Sequence, residues 1–110
     1  MYARVARFEG LDSSRIDEWV AEMKQQLKAG RSGEMPEGAP PQVATLMETV
    51  KRLVQFVDRD KGTAVGIFFC DTEEDMQRAD EALNEMSPGE GQGRRTSADI
   101  YEVVIDEVFA

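Results

Sequence analysis

Few side chains in this chain have the chemistry to hold or act on another molecule. Tyr2, Arg4 and Tyr101 stand on segments that alternate apolar and polar residues as strands do. A phenol donates a hydrogen bond, and a guanidinium either holds an anion or pairs with a carboxylate such as Glu102 on a neighbouring strand. Both groups need partners when buried, and for Arg4 the ion pair is the expected role. Trp19 falls in the apolar stripe of a helix, where core packing is expected and stacking on a ligand is the alternative. Phe68 and Phe69 point to opposite faces of one strand, so one lines the core and the other faces any second cavity. Tyr2, Arg4, Phe68, Tyr101 and Trp19 therefore form the candidate set for contact with a small apolar or aromatic compound. No catalytic residue is assigned.

Other chemistries are poorly supplied. The chain holds no histidine, which removes His-based triads, imidazole general bases, His-ligated haem and most zinc sites. Its single cysteine, Cys70, excludes an internal disulfide and lies in an apolar run, where a thiol acts as a small hydrophobe. Glu73, Glu74 and Asp75, like Asp17, Glu18 and Glu22, fit solvated helix starts and faces rather than a spaced metal set. Gly89-Glu90-Gly91-Gln92-Gly93 follows no strand and lacks the Lys-Ser/Thr of a phosphate loop, so it reads as a linker. Thirteen basic against 22 acidic residues give a net charge of −9, which argues against nucleic acid and anionic membranes. No cofactor and no metal are expected. No run of 18 apolar residues exists to span a membrane and no leader is legible, so the cytoplasm is the expected compartment.

The elements that must position these groups are organised around residues 50–71. Two apolar runs flank Asp58-Arg59-Asp60-Lys61-Gly62, a hairpin signal in which Gly62 takes positive φ. The second run is apolar on both alternating sets: Val65, Ile67 and Phe69 on one, Ala64, Phe68 and Cys70 on the other. Upstream, Tyr2–Glu9 reads as a strand. Asp12, Ser13 or Ser14 then caps a helix with Ile16, Trp19, Val20, Met23 and Leu27 on one stripe and a stop at Gly30. Three glycines and three prolines between 30 and 41 predict a flexible loop, and Pro41 can open a short helical turn over 42–47. Downstream, Asp71 or Thr72 caps a second helix with Met76, Ala79, Leu83 and Met86 inward, ended by Ser87-Pro88-Gly89. A polar loop and a last strand over 99–109 close the order. One domain, residues 1–110, results. The order β-α-β-β-α-β predicts an α+β, ferredoxin-like antiparallel sheet, strand order 4-1-3-2, with both helices on one face.

Two helices cover one face only. The small set Ala3 and Val5 suits close approach of the helices, which leaves Tyr2, Arg4, Ala6 and Phe8 on the far side. An open apolar face of that kind exceeds the roughly 300–600 Å² that monomers tolerate. A homodimer joined through its sheet faces is the expected remedy.

The pattern resembles the dimeric α+β-barrel proteins of the antibiotic-biosynthesis-monooxygenase-like superfamily. Met1-Tyr2-Ala3-Arg4-Val5 with Phe8-Glu9-Gly10 looks like their first strand. Val57-Asp58-Arg59-Asp60-Lys61-Gly62 and Ala64-Val65-Gly66-Ile67 look like their central hairpin. Asp71-Thr72-Glu73-Glu74 looks like the entry to their second helix, and Tyr101-Glu102-Val103 like their last strand. The resemblance covers most of the chain apart from 30–47. It implies the fold and the dimer more than a reaction. Some members oxidise aromatic polyketides without a cofactor, and others degrade haem with an Asn, a Trp and a His ligand. Here the only Asn is Asn84 and the only Trp is Trp19, with no His, so the haem chemistry does not carry over. The resemblance therefore implies a small-molecule-binding dimer, with monooxygenase-like oxidation of an aromatic compound as its enzymatic form. The alternative is a non-catalytic dimerisation or ligand-sensing module. RNA binding on this topology is disfavoured by charge and by the lack of a basic, aromatic motif.

Overall fold

A computed structural model of the chain describes residues 1–31, 41–86 and 92–110. It shows an α+β fold with one four-stranded antiparallel sheet and three α-helices. The strands are β1 (Tyr2–Glu9), β2 (Val50–Asp58), β3 (Thr63–Cys70) and β4 (Arg94–Glu102). The helices are α1 (Ile16–Arg31), α2 (Pro41–Thr49) and α3 (Glu73–Asn84). The order across the sheet is β2-β3-β1-β4, so β1 and β3 are central and β2 and β4 are edges. Counted from the β4 edge it runs 4-1-3-2.

Local chemistry sets the element ends. Asp12 caps a 3-10 turn over Ser13–Arg15, accepting from the Ser14 amide at 3.1 Å and the Ser14 hydroxyl at 2.6 Å. These bonds hold its carboxyl below the usual carboxylate range. The turn leads straight into α1. Gly30 does not stop α1, which continues to Arg31. It lies against α2, where an added Cβ would meet the flexible end of the Met47 side chain at 2.7 Å. The helical turn expected at Pro41 is a full helix that reaches Thr49. Thr72 caps α3, its hydroxyl accepting from the Asp75 amide at 3.1 Å. That helix ends at Asn84, so Met86 lies beyond it rather than on its stripe.

The hairpin forms as its residues predict. Gly62 has φ +65°, and its amide donates to the Asp58 carbonyl at 2.9 Å. The Asp58 carboxylate accepts from the amides of Asp60 and Lys61, both at 3.1 Å, which closes the turn from inside.

The last strand is displaced from its expected 99–109. It begins at Arg94 and ends at Glu102, because its partner β1 sets its length. Arg94 pairs with Glu9, and after Glu102 one further bond, from the Val103 amide to the Met1 carbonyl at 2.9 Å, exhausts the ladder. Gly93, at φ +73°, makes the entry possible, since a Cβ there would stand 2.1 Å from the Glu9 carbonyl oxygen. The loop expected over 30–41 falls mostly outside the described residues, as do Ser87-Pro88-Gly89 and most of the glycine-rich linker.

Three helices share one face of the sheet. α1 brings Ile16 and Trp19 onto Leu11, Ala64, Phe8 and Val57. α3 brings Met76 and Ala79 onto Cys70, Tyr2 and Val50, with Leu46 of α2 alongside. The covered set on β1 is therefore Tyr2, Arg4, Ala6 and Phe8. This reverses the expected assignment of Ala3 and Val5 to the helices. The large rings of Tyr2 and Phe8 fill the space under α3 and α1, and Arg4 between them is satisfied from α3. Among the described residues, no helix is long and apolar enough to cross a membrane.

Candidate functional site

The ladder registers fix what lies on the uncovered face, since alternate residues of a strand share a face. Three cross-strand rows result. The first is Tyr101, Ala3, Phe69 and Arg52; the second Asp99, Val5, Ile67 and Val54; the third Ser97, Arg7, Val65 and Phe56. A bulge at Lys51 shifts β2 between Val50 and Arg52 and brings Arg52 onto this face. There its guanidinium sits 5.5 Å from the centroid of the Phe69 ring, in cation–π range. The centre of the face is aliphatic and aromatic, with charge confined to Arg52, Arg7 and Asp99. Phe56 is 55% exposed, a high value for a phenylalanine within a sheet.

The candidate residues separate. Of the five, only Tyr101 lies on the uncovered face, where it is exposed. Tyr2 and Phe68 lie on the helix side, so Phe69, not Phe68, is the ring on the open side. Trp19 is buried between α1 and the hairpin. Among the described residues its indole Nε1 has no hydrogen-bond acceptor.

Arg4 is the most fully buried charge. It is 1% exposed, and its Nε donates to Asp80 Oδ1 at 2.7 Å while an Nη donates to Asn84 Oδ1 at 3.0 Å. Asn84 in turn donates to the other Asp80 oxygen at 3.3 Å. The expected pairing with Glu102 does not occur, because Glu102 stands opposite Tyr2 in the ladder. Arg95, one strand over, donates to the Leu83 carbonyl at 3.1 Å and helps to hold the end of α3. With its charge met and its hydrogen bonds taken by α3, Arg4 acts as a pin between strand and helix. Neither Asp80 nor Asn84 is expected from sequence to partner Arg4. Their spacing from Met76, four and eight residues on, places all three on one side of α3 and is the signal that would have found them.

Little else offers reactive chemistry. Cys70 is fully buried, and desolvation pushes its thiol above the ordinary range, with Asp75 and Asp71 adding to the shift. A depression of about 370 Å³ between α2 and α3 is lined by Gln42, Thr45, Arg78, Glu81 and Glu85. Its one cation, Arg78, already binds Glu48 at 2.9 Å, and Gln42 bonds Glu85 at 2.9 Å. Among the described residues, no three Cys, Asp or Glu side chains gather as a metal site would require.

Compared with known protein families and with curated protein sequences, the chain matches none.

Proposed function

We propose that two copies of this chain pair through their uncovered sheet faces, and that the space between the sheets takes a small apolar or flat aromatic molecule. The observation that carries the reading is the row structure of that face. Val5, Val54, Phe56, Val65, Ile67, Phe69 and Tyr101 project from it together, opposite the side that holds the three helices of the described residues. Sheets packed face to face lie about 10 Å apart, a gap that side chains fill or that a flat ligand shares with them. In this reading the fold is ferredoxin-like and the pair is an α+β barrel, as the resemblance to the antibiotic-biosynthesis-monooxygenase-like proteins implies.

The binding module is favoured over the oxidising enzyme by what faces the gap. Arg4 is committed to Asp80 and Asn84, and Trp19 is enclosed by α1 and the hairpin. Tyr101, Arg52, Arg7 and Asp99 remain at the margins to orient a ligand. Cofactor-free oxygenation of phenols or quinols is retained only on family analogy. Equilibrium dialysis against a panel of aromatic phenols and quinols, with oxygen uptake followed in parallel, tests both. The binding module predicts saturable binding with no oxygen consumed. Oxygen uptake on a bound compound assigns the enzymatic form instead, and no binding across the panel overturns the ligand.

A further inference from the structure

Beyond β4 the chain carries a segment whose large apolar side chains stand exposed. Residues 103–110 read Val-Val-Ile-Asp-Glu-Val-Phe-Ala. Val104 is 81% exposed, Ile105 80%, Val108 90% and Phe109 97%. Four large apolar side chains, in two adjacent pairs, lie in water, although the segment leaves the sheet from a well-paired strand. Set between them are two acids, Asp106 and Glu107.

We infer that this segment is an arm that docks on the β2 edge of a second copy, with Asp106 and Glu107 against the partner subunit's basic pair. The inference rests on the sheet-to-sheet pairing proposed above. Three observations support it. The first is geometric. Tyr101 and Arg52 occupy opposite ends of the same cross-strand row. In the inferred arrangement, the two-fold axis of the sheet pair lies between the sheets and along the strands, which turns edge β4 of one copy over edge β2 of the other. It keeps the Tyr101 row of one over the Arg52 row of its partner. The arm then starts above the place where β2 begins. Eight extended residues reach about 26 Å, ample to cross a gap of about 10 Å.

The second is charge. The chain has a net charge of −9, yet the outer end of β2 carries Lys51-Arg52, both exposed. The acidic pair on the arm complements this basic pair on the edge. Two otherwise repelling molecules gain an attractive contact at that point.

The third is area. Four strands by three rows present a footprint of about 400 Å², taken from strand spacing and rise, which lies within the roughly 300–600 Å² that a monomer carries rather than beyond it as expected from sequence. A stable interface needs about 800 Å² on each partner. One arm given and one arm received per copy supplies roughly the missing half.

Sedimentation equilibrium over a concentration series provides the test. The variants are a chain ending at Val103, a β2 reversal (Lys51→Glu with Arg52→Glu), an arm reversal (Asp106→Lys with Glu107→Lys) and the two reversals combined. Loss of the arm is expected to raise the dimer dissociation constant by about 100-fold, and each reversal alone by about tenfold. The combined reversal is expected to return it close to the starting value, which a merely structural role for these charges does not predict. An unchanged constant without the arm, together with no rescue in the combined variant, overturns the arm. If Ile67→Asp then still abolishes the dimer, the sheet pairing stands without it. A monomer at every concentration for the unaltered chain overturns both.

Discussion

Arg4 shows how one side chain ties sequence to fold. A guanidinium that is 1% exposed persists because Asp80 supplies the charge and Asn84 a further acceptor. Removing it leaves Asp80, itself 28% exposed, facing an apolar strand. Arg4→Ala is expected to cost about 3 kcal/mol, the low end for a broken buried pair because Asp80 retains some water. A double-mutant cycle with Asp80→Ala, read by urea unfolding, is expected to give a coupling of about 1–3 kcal/mol. A coupling near zero would show that the contact is incidental. Cys70 gives the pH dependence. Its folded-state thiol titrates above the ordinary range, so at neutral pH it is protonated in both states and contributes nothing to the slope. As pH rises beyond the ordinary thiol range the unfolded chain ionises first, and stability falls until the folded pKa is passed. Urea midpoints from about pH 7 to 10 should decline, and Cys70→Ala should flatten that decline. At this scale the sequence showed which groups matter but not which way they face. Both alternating sets of β1 are plausible core sets, and the small size of Ala3 and Val5 says nothing of how well α3 can satisfy an inward arginine.

The elements were legible wherever their ends are fixed by local chemistry. Thr72 as a cap, Pro41 at the head of a helix and Asp58 with Gly62 at the hairpin all follow from side chains acting on their own neighbours. Gly62 is the sharpest example. It holds φ +65°, and an added Cβ would come 3.1 Å from the Leu11 carbonyl, while its own carbonyl accepts from the Leu11 amide at 3.0 Å. Gly62→Ala is therefore expected to destabilise by about 1–2 kcal/mol, measurable as a lowered Tm. A neutral substitution would mean that the loop relaxes and that its contact with Leu11, ahead of the turn that leads into α1, is dispensable. Elements whose ends are fixed from a distance were not legible. β4 begins eight positions after Met86 and stops at Glu102 because of where β1 begins and ends, and no local signal at Arg94 announces that. The apolar pattern over 99–109 pointed instead to residues that have no strand beside them in a single copy. The same pattern now marks the arm.

For the whole molecule the decisive feature is asymmetry. Among the described residues every helix covers one side of the sheet, and the other side keeps Phe56, Ile67, Phe69 and Tyr101 without a cover of its own. Burying a large apolar side chain contributes roughly 1.5–3 kcal/mol, so a second copy placed there gains strongly from each ring it shields. The most direct measurement is the mass of the unaltered chain in solution at micromolar concentration, by analytical ultracentrifugation. The account predicts a particle of twice the 12.3 kDa chain mass, which Ile67→Asp converts to single chains that remain folded. A particle of 12.3 kDa for the unaltered chain, unchanged as concentration rises, would contradict it.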